Sequence, residues 1–184
     1  FRTNVNGTIH LLEAVRHTPS VQVVVIATSD KVYAHKNQPN GEFYAFQEQD
    51  RLGGNDPYST SKAAAELVVE SYRNSMLGDG RVSIATARAG NVLGGGDWGK
   101  DRIVPDLVRA LMGSRQLTLR NPIASRSWLH VLDALNGYLI LAENLVRARS
   151  KFAGSWNFAP PEHEPVSVCT LVEKFISCWG TAVE

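Results

Sequence analysis

Between Val21 and Gly90 the chain changes its hydrophobic period twice. "VQVVVIAT" is a run of β-branched residues of strand length, "DPYSTSKAAAELVVESYRNSM" spaces its apolar residues as a helix does, and "RVSIATARAG" alternates again. The flanks continue the pattern. "FRTNVNGTIHLLEAVRH" places Val5, Ile9, Leu12 and Val15 along one helical face to about His17, ahead of a strand from Val21 to Thr28. A long polar loop runs to Asn55, after which Asp56 suits a helix N-cap and Pro57 the first helical position. Beyond the second strand, "NVLGGGDWGKD" reads as a loop and Ile103 to Met112 as a helix. A short strand near Gln116 to Arg120, an extended piece near Arg126 to His130 and a helix from Leu132 to about Arg147 follow. "GSWNFAP" reads as a last strand and Val168 to Cys178 as a last helix. Strands alternating with helices predict an α/β fold on a parallel sheet.

The bulk numbers narrow the function classes. At 184 residues, 43% hydrophobic and 20% charged, the chain suits a single domain. A net charge of +1 gives no field of one sign for nucleic acid or a membrane surface. No apolar run approaches the roughly 20 residues of a membrane span. Cys169 and Cys178 lie on one helical stretch without metal spacing, and no His/Cys/Asp/Glu cluster has it either. A reduced, cytoplasmic protein without a metal is the expectation. The chain opens on Phe1 already in helical period and closes on "FISCWGTAVE", which reads as a piece of something longer.

Three features carry chemistry. Tyr58 and Lys62 are four residues apart on one helical face, so a lysine ammonium can stabilise a phenolate that takes a proton from an alcohol. The plainer reading of that spacing is a surface i,i+4 pair. Ser29 stands at the carboxyl end of a strand, where open α/β sheets place their sites, and Asp30 and Lys31 follow it at once. A capped turn with a surface ion pair is the plainer reading there. "NVLGGGDWG" lacks G-x-G-x-x-G spacing and reads as a turn, still compatible with a loop that faces a substrate.

With those residues in place, "TNVNGTIHLLEAV", "TSDKVY", "DPYSTSKAAAELV", "RAGNVLGGGDWGKDRIVPD" and "SRSWLHVLDALNGYLILAE" can be weighed together. The chain resembles the extended short-chain dehydrogenase/reductase family, and within it the nucleotide-sugar 4,6-dehydratases of the CDP-glucose branch. The resemblance runs over nearly the whole chain. It implies the later half of a Rossmann-like parallel sheet with parts of a small substrate-binding domain across residues 1–184. The Gly-rich first half and the C-terminal end would lie outside. It also implies NAD as cofactor, a nucleotide sugar such as CDP-glucose as substrate, and a homodimer formed through the helices that start near Thr3 and Pro57.

The same resemblance implies roles for particular residues. Ser29, Tyr58 and Lys62 would handle the sugar 4-hydroxyl, and Asp30 would protonate the departing 6-hydroxyl. Lys31 stands where dTDP-glucose relatives have a glutamate; it is either the C5 base or a charge that stabilises the enolate or holds Asp30. Thr3 and Asn4, with Tyr58 and Lys62, match positions that contact the cofactor, although packing suits the first two equally. Asn91 matches a position that contacts the sugar nucleotide. Arg102, Arg120 and Arg126 suit a diphosphate, because guanidinium forks match phosphate oxygens. "SRSWLHV" departs from the family pattern at Ser127 and Leu129 but keeps Arg126, Trp128 and His130. Trp128 and Trp156 read as core aromatics and His130 as a packing histidine. The rivals are a nucleotide-sugar 4-epimerase or reductase, which needs no acid at Asp30, and an inactive fragment.

Overall fold

The computed structural model describes residues 1–34, 44–160 and 166–180, and of Arg149 only the backbone. Part of the expected polar loop, 35–43, and the last four residues therefore lie outside the described residues. The chain divides into two units, Phe1–Gly90 with Asp133–Phe158, and Asn91–Leu132 with Ala159–Glu184.

The first unit is built on a parallel three-stranded sheet of β1 (Val23–Ala27), β2 (Ser83–Ala89) and β6 (Gly154–Phe158), with β2 in the middle. Val23 pairs with Ser83 and Ala27 with Ala87; Ala85 pairs with Gly154 and Ala89 with Phe158. Every residue of β2 is buried. Its side chains alternate between two packed faces. Ile84 joins Leu12 and Val15 of α1 (Gly7–Arg16) and Val69 of α2 (Pro57–Asn74), while Ala85 and Ala87 meet Leu141 and Leu145 of α4 (Val131–Arg147). Burying one side chain such as Ile84 contributes about 1.5–3 kcal/mol, so these two layers hold the sheet. Small residues let α4 come close. A Cβ on Gly137 would lie 2.5 Å from the Phe158 ring.

A single π-helical turn, Arg2–Asn6, leads into α1. The start of α2 forms as its composition requires. Asp56 Oδ1 accepts from the amides of Tyr58 (2.8 Å) and Ser59 (3.0 Å), and the Ser59 hydroxyl accepts from the Asp56 amide at 3.2 Å. Pro57 sits at the helix start, where no amide is needed. Hydrogen bonds to its carboxyl, first from the Ser59 hydroxyl to Oδ2 at 2.7 Å and then from the Ser59 amide, hold Asp56 below its usual range. Gly54 lets the preceding chain cross the first turn, since a Cβ there would lie 2.7 Å from the Ser59 carbonyl carbon.

In the second unit, β3 (Asn91–Leu93) pairs in parallel with β5 (Trp128–His130), and β4 (Ser125–Arg126) pairs antiparallel with β7 (Val166–Ser167). α3 (Ile103–Met112) and α6 (Val168–Trp179) supply its helices. A short helix, α5 (Arg149–Phe152), precedes β6. Two expectations are corrected. Asn91–Leu93, read as the start of a loop, is a strand because Trp128–His130 supplies its ladder. Gln116 to Arg120, read as a strand, has no strand structure. The aromatics behave as core residues. Trp156 packs on Phe152 and donates to its carbonyl at 2.9 Å, and Trp128 donates to Val166 at 2.9 Å.

Candidate active site

The chain leaves β1 through Thr28, whose amide still donates to Ala87 at 2.8 Å, and turns at Ser29 into one 3₁₀ turn, Asp30–Val32. Ser29 is buried and caps that turn. Its Oγ accepts from the Lys31 amide at 3.2 Å and donates to Asp30 Oδ1 at 3.2 Å. Both bonds are long for their type, so the hydroxyl can turn to a ligand oxygen at small cost. The capped turn is thus present, and the same Ser29 hydroxyl holds the Asp30 carboxyl.

α2 brings the second half of the site. Tyr58 lies on its first turn with its side chain half exposed. Lys62, one turn on, donates from Nζ to the Ala27 carbonyl at 3.1 Å, at the end of β1. Burial lowers the pKa of that ammonium, and the charge of Glu66 acts the other way. The Lys31 Nζ stands 6.0 Å from the Tyr58 ring centroid, within cation–π range. Ser29, Asp30, Lys31, Tyr58 and Lys62 thus belong to one unit, at the junction of β1 and α2. A hydroxyl, a carboxyl, a phenol and two ammonium groups there can bind a polyol, move a proton from an alcohol and supply one to a leaving hydroxyl.

Asn4 and Thr3 take different places. Asn4 Nδ2 donates to Ser61 Oγ at 2.9 Å, and Ser61 Oγ donates to the Tyr58 carbonyl at 2.7 Å. Asn4 thereby buttresses the turn that carries Tyr58, whereas Thr3 is exposed. The four residues expected to hold a nucleotide are all in the second unit. Asn91 bonds through its backbone to Ser127 at 2.8 Å, and its buried Oδ1 has no hydrogen-bond partner among the described residues. Arg102 pairs with Asp97 at 2.8 Å, Arg120 with Asp101 at 3.3 Å, and Arg126 donates to the Ser125 carbonyl at 2.8 Å. All three arginines remain exposed. His130 Nδ1 accepts from the Leu132 amide at 3.2 Å and so serves the first turn of α4. Among the described residues no group of three or more His, Cys, Asp or Glu could hold a metal ion. None of the described helices is long and apolar enough to cross a membrane.

Sequence reasoning missed a buried polar cluster directly behind the site. Glu66 and Arg88 form an ion pair, Nη2 to Oε2 at 2.9 Å and Nε to Oε1 at 3.0 Å, with side chains only 2% and 3% exposed. Thr86 and Ser155 donate to the same carboxylate at 2.7 and 3.1 Å, and Thr28 donates to Oε1. Burial pushes the Glu66 carboxyl up, and the hydrogen bonds from Arg88 and Thr28 more than reverse it, so its pKa is lowered overall. Burial likewise opposes the Arg88 charge, and the bonds to Glu66 prevail. The signal was in the letters. An arginine at the penultimate position of "SIATARA" must enter a fully buried strand, and such residues are almost never buried unpaired.

Comparison with known proteins identifies the family. Residues 1–155 match the model of the NAD dependent epimerase/dehydratase family. The chain is 41% identical over 185 residues to CDP-glucose 4,6-dehydratase of Salmonella typhimurium, covering 98% of this chain and 50% of that protein. Among solved structures, MoeE5 in complex with UDP-glucose and NAD superposes with a TM-score of 0.77 at 26% identity, over 95% of this chain and 54% of the other. dTDP-glucose 4,6-dehydratase from Bacillus anthracis in complex with NAD gives 0.78 at 24% identity, over 97% and 52%. The chain spans about half the length of these relatives.

Proposed function

This chain belongs to the NAD dependent epimerase/dehydratase family, and from that premise we propose that the protein carrying it is a nucleotide-sugar 4,6-dehydratase that uses NAD and acts on CDP-glucose. The observation that carries the reading is Asp30. Its carboxyl accepts from Ser29 Oγ at 3.2 Å, in the same unit as Tyr58 and Lys62. A 4-epimerase or reductase needs the tyrosine, the lysine and the hydroxyl, but no acid beside them.

The donor set fits the cofactor. Lys62 at the carboxyl end of β1 and the Tyr58 hydroxyl one turn before it offer donors where open α/β sheets take their ligands. Thr3 and Asn4 are the further cofactor positions in this reading. Held there, NAD would supply the acceptor for the C4 hydride and the source of the hydride that reduces C6.

The chain's own groups do the rest. Tyr58 takes the 4-hydroxyl proton while Ser29 Oγ hydrogen-bonds the same oxygen, and Lys62 and Lys31 stabilise the phenolate. Once C4 is a ketone, C5 is acidic; its proton passes to solvent water, and C5 takes one back from water after C6 is reduced. Lys31 is exposed and stands over the Tyr58 ring, so we assign it the electrostatic role of stabilising the enolate; a base would need burial. Asp30 protonates the departing 6-hydroxyl, which leaves as water. Asn91, whose Oδ1 has no partner among the described residues, and Arg102, Arg120 and Arg126 are assigned to the nucleotide diphosphate.

CDP rather than another nucleotide is supported by the identity to the Salmonella relative. A homodimer through α1 and α2 is supported by the exposed Leu11 and Leu67 on those helices. A cytoplasmic setting is supported by the free thiols of Cys169 and Cys178. The test is incubation of the full-length protein with NAD and CDP-, dTDP- or UDP-glucose, followed by mass spectrometry. A product lighter by one water, formed fastest from CDP-glucose, is expected. A product of unchanged mass with inverted C4 would overturn the dehydratase in favour of an epimerase.

A further inference from the structure

The Glu66–Arg88 pair holds more than the core. Its two members reach both ends of the segment that carries Ser29, Asp30 and Lys31. On the near side, Glu66 Oε1 accepts from Thr28 Oγ1, one residue before Ser29. On the far side, Arg88 Nη1 donates to the Tyr33 hydroxyl at 2.9 Å, one residue past the 3₁₀ turn. Tyr33 in turn donates to Asn157 Oδ1 at 2.6 Å on β6 and stacks on Phe46 with ring centroids 4.7 Å apart. The segment is therefore gripped at Thr28 and at Tyr33, and of the five groups of the candidate site only Lys62, through the Ala27 carbonyl, adds a tie at its near end.

Glu66 also belongs to the helix of the base. Tyr58, Lys62 and Glu66 recur every four residues along α2, so one rigid helix carries the phenol, the ammonium and the anchor. A rise of about 1.5 Å per residue puts Glu66 about 12 Å along that helix from Tyr58. A buried ion pair is weak evidence for stability, because well-packed apolar residues often do as well. A two-point guanidinium–carboxylate contact is directional, however, and fixes position.

We propose that Glu66, held by Arg88, is a positioning residue: it fixes the Ser29–Lys31 segment to the helix of Tyr58 through Thr28 and Tyr33. This rests on the dehydratase reading for its catalytic consequence, since a displacement of about 1 Å at a reacting group costs about 10²-fold in rate.

Thr28 offers the cleanest test, because Thr28→Val keeps shape and leaves the ion pair whole. In the full-length protein, amide hydrogen exchange of 29–33 should quicken on the order of tenfold, with β2 unchanged. Turnover of the nucleotide sugar should fall about tenfold or more with KM within about twofold, a split expected of lost orientation. Thr28→Ser should restore both. Wild-type exchange in Thr28→Val, faster exchange with unchanged kcat, equal loss of protection in β2, or failure of Thr28→Ser to rescue would each overturn the proposal. If the unmutated protein converts no nucleotide sugar, the dehydratase reading falls; the exchange arm still shows whether Thr28 grips the segment, and unchanged exchange there removes the positioning role as well.

Discussion

The ammonium of Lys31 stands 6.0 Å from the centroid of the Tyr58 ring. Lys62, the partner that spacing alone assigns to Tyr58, instead places its Nζ on the Ala27 carbonyl at 3.1 Å. The two cations thus have different anchors, one on the 3₁₀ turn and one on the helix. The two lysines therefore have separable duties. Lys62 ties α2 to the end of β1; Lys31 follows whatever happens to the Ser29 segment.

Tyr58→Phe keeps the ring and the helix and removes the base. Turnover of the nucleotide sugar in the full-length chain should fall by at least about 10²-fold, as for loss of a general base. Steady-state kinetics with saturating NAD check it. Near-normal turnover would make Tyr58 a surface residue.

For Asp30→Asn, size and much of the hydrogen bonding persist while the acidic proton is lost. Oxidation at C4 should proceed and water loss should stall, by about 10²–10⁴-fold. A single-turnover run that follows nicotinamide absorbance should show reduced cofactor accumulating with a 4-keto sugar that retains its 6-oxygen. Elimination at the normal rate would remove Asp30 as the acid.

Lys31→Gln separates the electrostatic role from the others. The fold should be unaffected, because the side chain is exposed. Exchange of the C5 hydrogen with deuterated water should slow by about tenfold or more, since the enolate loses a nearby charge. If exchange persists at the wild-type rate, Lys31 does not act on C5.

Glu66→Gln leaves Arg88 buried without its counter-charge and should cost about 3–5 kcal/mol near neutral pH. The pH dependence has a definite sign. A carboxyl with a lowered folded-state pKa adds stability above its unfolded value of about 4.3, and loses it as pH falls through the folded value. Wild type and Glu66→Gln should therefore converge in stability as the solution is acidified below about pH 4. Urea unfolding at neutral and acidic pH measures both. A constant difference would mean that the Glu66 charge is not what the cluster stabilises.

Local chemistry was legible wherever it is local. Asp56 and Pro57 start a helix because they satisfy or avoid its first amides, and this needs nothing from the rest of the molecule. Tyr58 and Lys62 share a face because the helix repeats every 3.6 residues. Ser29 reaches the end of a strand because "VVVIA" must be buried and "SDK" cannot extend it. Short elements were less legible. Asn91–Leu93 becomes a strand only when Trp128–His130 arrives beside it, whereas Gln116 to Arg120 alternates like a strand and forms none. In three to five residues the ladder decides, and its partner is remote.

Residue types and their periods are enough to specify that a hydroxyl, a carboxyl and an ammonium end β1, that a tyrosine and lysine begin α2, and that the sheet is parallel. Which groups meet is a different matter. Arg88 and Glu66 lie 22 residues apart, on a strand and a helix, and Thr28 and Tyr33 come from yet another segment. A buried charge requires a partner, but desolvation does not say which one. Packing α2 against β2 in one register brings Glu66 over Thr86 and Arg88, and the 3₁₀ turn after β1 brings Lys31 to the ring of Tyr58.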